Sequence, residues 1–439
     1  MKHLLIFIED ALVGRVQSVS GRVSFSYEKS WLQSSASHSL SLSMPLPGNT
    51  YSQKLVLPYL WNLLPENPNV LQRWAQEYHV SASNPFRMLG YVGADVPGAA
   101  QFIPEDRLDE LRLPQRTRIE WISIADLTER LKQLRKDISA FRRPTDRGKI
   151  SLPGAQAKTA FYWDEATGRW GVPMGRTPTT HIVKPCVPEF DGLVENEHLC
   201  QDIAARMNLP AARSQVLALD ETCIVVERYD RLPDSNTASR MIRVHQEDMC
   251  QSLGLMPAKK YQEEGGPGIA TIVALIRRVS SDPETDVNRF IEANVFNWLI
   301  GGTDAHAKNY SLLIGAGDQV RLAPLYDLSS QLPYEDRIEQ NLAMKIGDHY
   351  KIARIGLDDW RILATAIGMD TDRILDMLKA LLKKMPDAIS GARDQALSDG
   401  LDKKVITKLA ALLHENVSKR AATIETIRYP RTAATPRRT

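Results

Sequence analysis

The sequence predicts an α+β protein in which a β-rich amino-terminal module precedes a two-lobed body that ends in helices. Three observations predict it. The first hundred residues hold short apolar runs separated by turn residues, a strand pattern. After Pro233 the apolar residues recur at spacings of three and four, a helix pattern. Between residues 301 and 327 a polar loop and a hairpin interrupt those helices.

The composition is that of an ordinary folded protein, 439 residues with 43% hydrophobic and 25% charged, long enough for two or three domains. A net charge of +2 argues against bulk coating of nucleic acid, although the tail RTAATPRRT is a local basic patch. Cys186, Cys200, Cys223 and Cys250 show no Cys-x-x-Cys pair, so neither a zinc knuckle nor a disulfide framework is indicated. No apolar run approaches the roughly 20 residues of a membrane span, and MKHLLIFIED turns acidic too early for a signal peptide. These features predict a cytoplasmic chain with reduced thiols and no membrane contact.

Taken in order, HLLIFI at 3–8, Ala11 to Val16 and Val23 to Tyr27 predict antiparallel strands. In HSLSLSMPLP, Leu40, Leu42 and Met44 alternate with Ser39, Ser41 and Ser43, which predicts a half-buried strand. Helices follow around Trp61, Leu64, Leu71 and Trp74, broken at Pro65 and Pro68. No nucleophile with a matching base stands out here, so residues 1–110 are expected to be scaffold or interface. A helix from about Ser123, with Leu127, Leu131, Leu134 and Ile138 in register, predicts a link over 111–148, ending in a mobile RRPTDRG segment.

A small lobe is expected over 149–232 and a helical large lobe over 233–439. In KISLPGAQAKTAFYW, the small residues Gly154, Ala155 and Gln156 would let backbone N–H groups approach phosphate oxygens. THIVKPC places Lys184 near a strand end, and the helix LVENEHLCQDIAARMNL places Glu197 where it can pair with that ammonium. The strand ending at Glu227-Arg228-Tyr229 offers backbone groups for a base. After the helix 286–300 and Gly301-Gly302, Asp304 and Asn309 show the Asp-x-x-x-x-Asn spacing of kinase catalytic loops, and the hairpin returns to Asp327. Phosphoryl transfer needs such a set: a carboxylate for the hydroxyl proton and hard oxygen ligands for magnesium. The fold is therefore expected to be a two-lobed, protein-kinase-like one with an all-helical carboxy-terminal lobe.

Taken together, SLPGAQAKTA, TTHIVK, ENEHLC, VERYDR, HQEDMCQSLGL, GGPGIA, GGTDAHAKNYSL and LAPLYDL resemble the HipA family of serine/threonine-protein kinases, toxins of toxin–antitoxin pairs. The resemblance runs from the first strands to the last helices. It implies ATP and Mg2+ as cofactors, Asp304 as base, and Asn309 and Asp327 as metal ligands. It implies a phosphate loop of Leu152, Pro153, Gly154, Ala155, Gln156 and Lys158, with Lys184 and its partner Glu197 beside it. The implied adenine hinge is Glu227, Arg228 and Tyr229, Tyr326 joins the nucleotide site, and His306 and Lys308 touch phosphate. Ser151 stands at the autophosphorylation position, with Pro153 where a small residue such as alanine is expected. The implied partners are a small helix-turn-helix antitoxin (HipB-like), operator DNA through that antitoxin, and a protein substrate of the translation apparatus, an aminoacyl-tRNA synthetase. A small-molecule kinase of the aminoglycoside or choline type, and a catalytically silent corepressor, are the alternatives.

Overall fold

The computed structural model describes residues 2–425 apart from 47, 109–117, 141–142, 144–145, 147–149, 235–239, 335 and 337–338. The basic tail and most of the RRPTDRG segment lie outside the described residues. The chain opens on an antiparallel sheet of β1 (His3–Ile8), β2 (Ala11–Val19), β3 (Arg22–Tyr27), β4 (Thr50–Ser52) and β5 (Ala100–Pro104), in the order β4-β3-β2-β1-β5. After His3, β1 is apolar throughout because both its faces are covered. Leu4, Ile6 and Ile8 enter the main core of the module, and Leu5 and Phe7 pack with Ile103 on the other side. The module is completed by α1 (Lys29–Leu32), α2 (Gln53–Trp61), α3 (Pro68–Glu77) and α4 (Pro85–Val92). Asn67 and Asn84 cap α3 and α4 with their side chains, each followed by a proline in the first turn.

One element differs from the sequence expectation. HSLSLSMPLP forms turns with a single Ser41–Met44 bridge, not a strand. Both parities are buried, Leu40 and Met44 in the first core and Ser39 and Ser41 against the large lobe. There the Asp318 carboxylate accepts from the Ser39 N–H at 2.6 Å and the Ser39 hydroxyl at 3.0 Å, and Glu247 accepts from the Leu42 N–H at 2.7 Å. The alternation reflects a segment sandwiched between two bodies, not one wet face and one dry face.

The small lobe is a six-stranded antiparallel sheet of β6 (Ile119–Ile122), β7 (Thr159–Asp164), β8 (Arg169–Pro173), β9 (His181–Pro185), β10 (Ser214–Leu217) and β11 (Cys223–Glu227), ordered β10-β11-β9-β7-β8-β6. The expected linking segment is thus built into the lobe: β6 pairs with β8, and α5 (Ile124–Lys136) buries Leu127 and Leu131 against Phe161, Trp170 and Val183. The helix α6 (Leu193–Arg206) packs between this sheet and the large lobe.

The large lobe is mainly helical. It contains α7 (Met249–Ser252), α8 (Ile269–Val279), α9 (Pro283–Ile300), α10 (Leu357–Ile367), α11 (Thr371–Ser398) and α12 (Lys403–Glu425) around one apolar core. Small antiparallel pairings interrupt the helices: β12 (Arg231–Pro233) with β13 (Met241–Arg243), the sheet of β14 (His245–Asp248), β15 (Ser311–Gly315) and β16 (Gln319–Leu322), and β17 (Asn341–Ile346) with β18 (His349–Lys351). The β15–β16 hairpin expected after the polar loop is present.

Candidate active site

The helix α9 ends at Gly301, whose φ of 68° is left-handed, and the chain turns into the loop that carries Asp304. The Asn309 side-chain amide donates to the Asp304 carbonyl at 2.9 Å, closing the loop on itself and leaving the amide oxygen as its acceptor. Tyr326 braces the loop by donating to the Lys308 carbonyl at 2.7 Å. The Asp304 carboxylate faces the open cleft and accepts from the Tyr261 hydroxyl at 2.6 Å. Protein crowding around it and the nearby Asp327 charge push its pKa up, with the Tyr261 hydrogen bond opposing. His306 is buried edge-on to Tyr261, has no partner for Nδ1 among the described residues, and is pushed down to about 3 chiefly by burial, so it is neutral at pH 7.

Lys308, expected at phosphate, is committed elsewhere. Its buried ammonium donates to Asp248 at 2.6 Å and to Asn62 of the first module at 2.7 Å. It braces the loop and is not a free cation.

Opposite this loop, the β9–β11 register sets Lys184 beside Ile224 and sends its side chain to Glu197 on α6. The Lys184 ammonium donates to Glu197 at 2.8 Å and also to Asp327. Burial alone would raise the Asp327 carboxyl, but the Lys184 ammonium, helped by Lys158, holds it well below the usual carboxylate range. Burial pushes Glu197 up against the opposing pull of Lys184. Asp327 itself sits at φ 58°, a left-handed conformation uncommon for residues other than glycine, though aspartate tolerates it better than most.

The loop from Ser151 to Lys158 closes the cleft from the side of the first module. Gly154 takes φ 105°, and its carbonyl accepts from the Glu66 N–H at 3.2 Å. The Lys158 ammonium donates to the Pro153 carbonyl at 3.0 Å, so Pro153 sits inside a closed turn, and a Cβ at Gly154 would meet that ammonium at 2.6 Å. Ser151 is 0% exposed and donates its hydroxyl to the Leu63 carbonyl at 2.6 Å.

At the expected hinge, Glu227 is exposed and the Tyr229 ring lies 5.8 Å from that of Tyr326, tilted by 32°, but the Arg228 side chain turns into the protein. It is buried, pairing with Asp230 at 2.8 Å and donating to the Val96 carbonyl at 3.0 Å, while the backbone N–H of Arg228 donates to the Thr180 carbonyl at 2.9 Å and its carbonyl accepts from the Arg231 N–H at 3.1 Å. Leu152, Ala155 and Gln156 join Asp304, Asn309, Lys184, Glu197, Asp327, Tyr229 and Tyr326 around one cavity of about 740 Å³, a size that suits a nucleotide. Sequence reasoning missed Tyr261, Asp248, Asn62 and Glu66. KKYQEEGGPG and NLLPENP carry no spacing that points to chemistry, and these residues reach the cleft only by tertiary contact.

The donor set fits ATP and magnesium. Among the described residues no group of three or more His, Cys, Asp or Glu side chains is placed to hold a metal. Asn309 and Asp327 supply two oxygen donors, which suits a magnesium ion completed by phosphate oxygens and water. The cradle around Gly154, where a side chain would strike Lys158, suits the close approach of phosphates.

Two family models match the chain. A family model described as the HipA N-terminal domain matches residues 4–103, and one described as the HipA-like C-terminal domain matches residues 150–389. The putative kinase Y4mE of Sinorhizobium fredii is 33% identical over 413 residues, covering 92% of this chain and 93% of the relative. The serine/threonine-protein kinase toxin HipA of Shewanella oneidensis is 28% identical over 404 residues, covering 88% of each. Among solved structures, the Shewanella oneidensis complex of HipA, HipB and operator DNA superposes with a TM-score of 0.82 at 24% identity, over 97% of this chain and 99% of that one, a likeness of fold.

Proposed function

The chain belongs to the HipA family of serine/threonine kinase toxins, and from that premise we propose that it transfers the γ-phosphate of ATP to serine or threonine hydroxyls of a protein. One observation carries the reading: Lys184 is ion-paired to both Glu197 and Asp327 in the same cleft as Asp304 and Asn309. In this reading Asp304 orients the acceptor hydroxyl and takes its proton, and Lys184 holds the nucleotide phosphates. Asn309 and Asp327 hold magnesium, which when bound offsets charge on the phosphates. Neutral His306 lines the floor of the cleft without adding charge, and the loop 152–158 with Lys158 covers the phosphates. The backbone of Glu227 to Tyr229 receives the adenine, against Tyr326.

The finer proposals follow the family. The substrate belongs to the translation apparatus, an aminoacyl-tRNA synthetase. A HipB-like antitoxin restrains the kinase and carries it to operator DNA as corepressor, an arrangement supported by the HipA, HipB and operator DNA complex of the structural relative. The near-neutral charge of this chain supports DNA contact through that partner alone. Self-phosphorylation at Ser151 switches the kinase off, and burial supplies the physical reason. A phosphate does not fit where the hydroxyl meets the Leu63 carbonyl, so a phosphorylated loop cannot return to its seat.

Labelled ATP incubated with the chain and a cell lysate tests the proposal. Label is expected on a protein of the translation apparatus and on Ser151, absent in Asp304→Gln, and confined to the foreign protein in Ser151→Ala. Label appearing only in small metabolites would replace this reading with that of a metabolite kinase.

A further inference from the structure

A buried carboxylate of the first module joins three parts of the cleft that are distant in sequence. Asp95 lies after α4 and is 4% exposed. Its Oδ2 accepts from the Thr179 N–H at 3.0 Å and from the Thr179 hydroxyl at 2.8 Å, just ahead of β9, the strand that carries Lys184. The Thr179 hydroxyl oxygen accepts in turn from the Arg228 guanidinium at 2.9 Å, within the hinge. The Asp95 carbonyl accepts from the Ser151 N–H at 3.0 Å, and Asp95 bridges in parallel to Ile150 at the root of the phosphate loop.

The joint is stiff for an electrostatic reason. Arg228, Arg231 and Arg243 crowd around Asp95 and are all buried, Arg231 donating to its Oδ1 at 2.8 Å. Their attraction overrides the burial penalty and holds the Asp95 carboxyl below its ordinary value. A dry network of this kind has few alternative arrangements, because any displaced charge is left unpaired. General cohesion between the two bodies would account for the ion pairs. It would not account for the three arms ending on the hinge, on the Lys184 strand and on the phosphate loop.

We propose that Asp95 is a positioning residue for the nucleotide, setting the spacing of hinge, lysine strand and phosphate loop from outside the kinase lobes. The inference rests on the reading of the cleft as an ATP site. It makes the first module part of that site, where the sequence suggested scaffold or interface.

The test is titration of the full-length chain with the fluorescent nucleotide TNP-ATP in the presence of magnesium. Thr179→Val keeps the shape and removes the hydroxyl that joins Asp95 to Arg228, and is expected to weaken binding about tenfold, while Thr179→Ser stays within about twofold of the parent. Hydrogen exchange over residues 150–158 should quicken in Thr179→Val, and Asp95→Asn, if it folds, should show both effects more strongly. Parent-like binding and exchange in folded Thr179→Val, or equal weakening in Thr179→Ser, overturns the assignment and leaves the kinase reading intact. Failure of the parent chain to bind TNP-ATP overturns both.

Discussion

Asp327 combines a left-handed backbone with a carboxylate that Lys184 keeps ionised, so its charge and its direction are both set before any ligand arrives. Asp327→Asn keeps the shape and loses the charge. Phosphate transfer is expected to fall by about a thousandfold or more while the thermal unfolding midpoint moves little, and transfer at the parent rate in the folded variant would reject the assignment. The Tyr261 hydroxyl donates to Asp304 where, in the proposed function, the acceptor hydroxyl would bind. Tyr261→Phe should therefore free the base for water and raise ATP hydrolysis without acceptor by several-fold, read as phosphate release. Unchanged or lower release would show that the hydroxyl does not guard the base.

Among the elements, the α9–loop–hairpin unit decides where Asp304 stands, and Gly301 is its pivot. The residue is left-handed at φ 68°, and an added Cβ would meet the Leu332 side chain at 2.7 Å. Gly301→Ala is expected to lower stability by about 1–2 kcal/mol from the backbone alone, measured by urea denaturation, with a parallel drop in transfer rate. This unit was legible in the sequence because periodicity, a double glycine and a hairpin pattern agree locally over residues 286–327. HSLSLSMPLP was not, because its alternation comes from two partners, Tyr27 on one side and Asp318 and Glu247 on the other, that lie far off in the chain.

For the molecule as a whole, burial of histidines makes stability depend on pH. His245 and His306 are pushed down to about 3 and His181 to about 4, chiefly by burial. The unfolded chain takes up those protons near pH 6.5 while the folded chain does not. The unfolded state therefore binds more protons below that pH, and stability is expected to fall as pH drops from about 6.5 toward 4. Glu247 acts in the opposite sense. Burial raises it to about 7, so the folded state takes up a proton first and gains stability as pH falls through that range. Glu247→Gln should therefore steepen the acid loss. Urea denaturation at pH 7.5 and at pH 5 checks both signs, and a Glu247→Gln chain equally stable at the two values would contradict the histidine account.

Local pattern was enough to pick out the residues on which the proposed function rests. The Asp304-to-Asn309 spacing, the strand-end Lys184, the helix bearing Glu197 and the hairpin leading to Asp327 are each encoded within a few turns or strands, and all of them line one cleft. Long-range packing alone decided what holds those parts. Lys308 points to Asp248 and Asn62, Arg228 turns into a buried ion network, and the first module seats the loop 151–158 through Leu63, Glu66 and Asp95. The physical reason is that a charged side chain in a dry interior takes whatever opposite charge the fold brings within reach. Periodicity records which face of an element is buried, but carries no record of the partner waiting there.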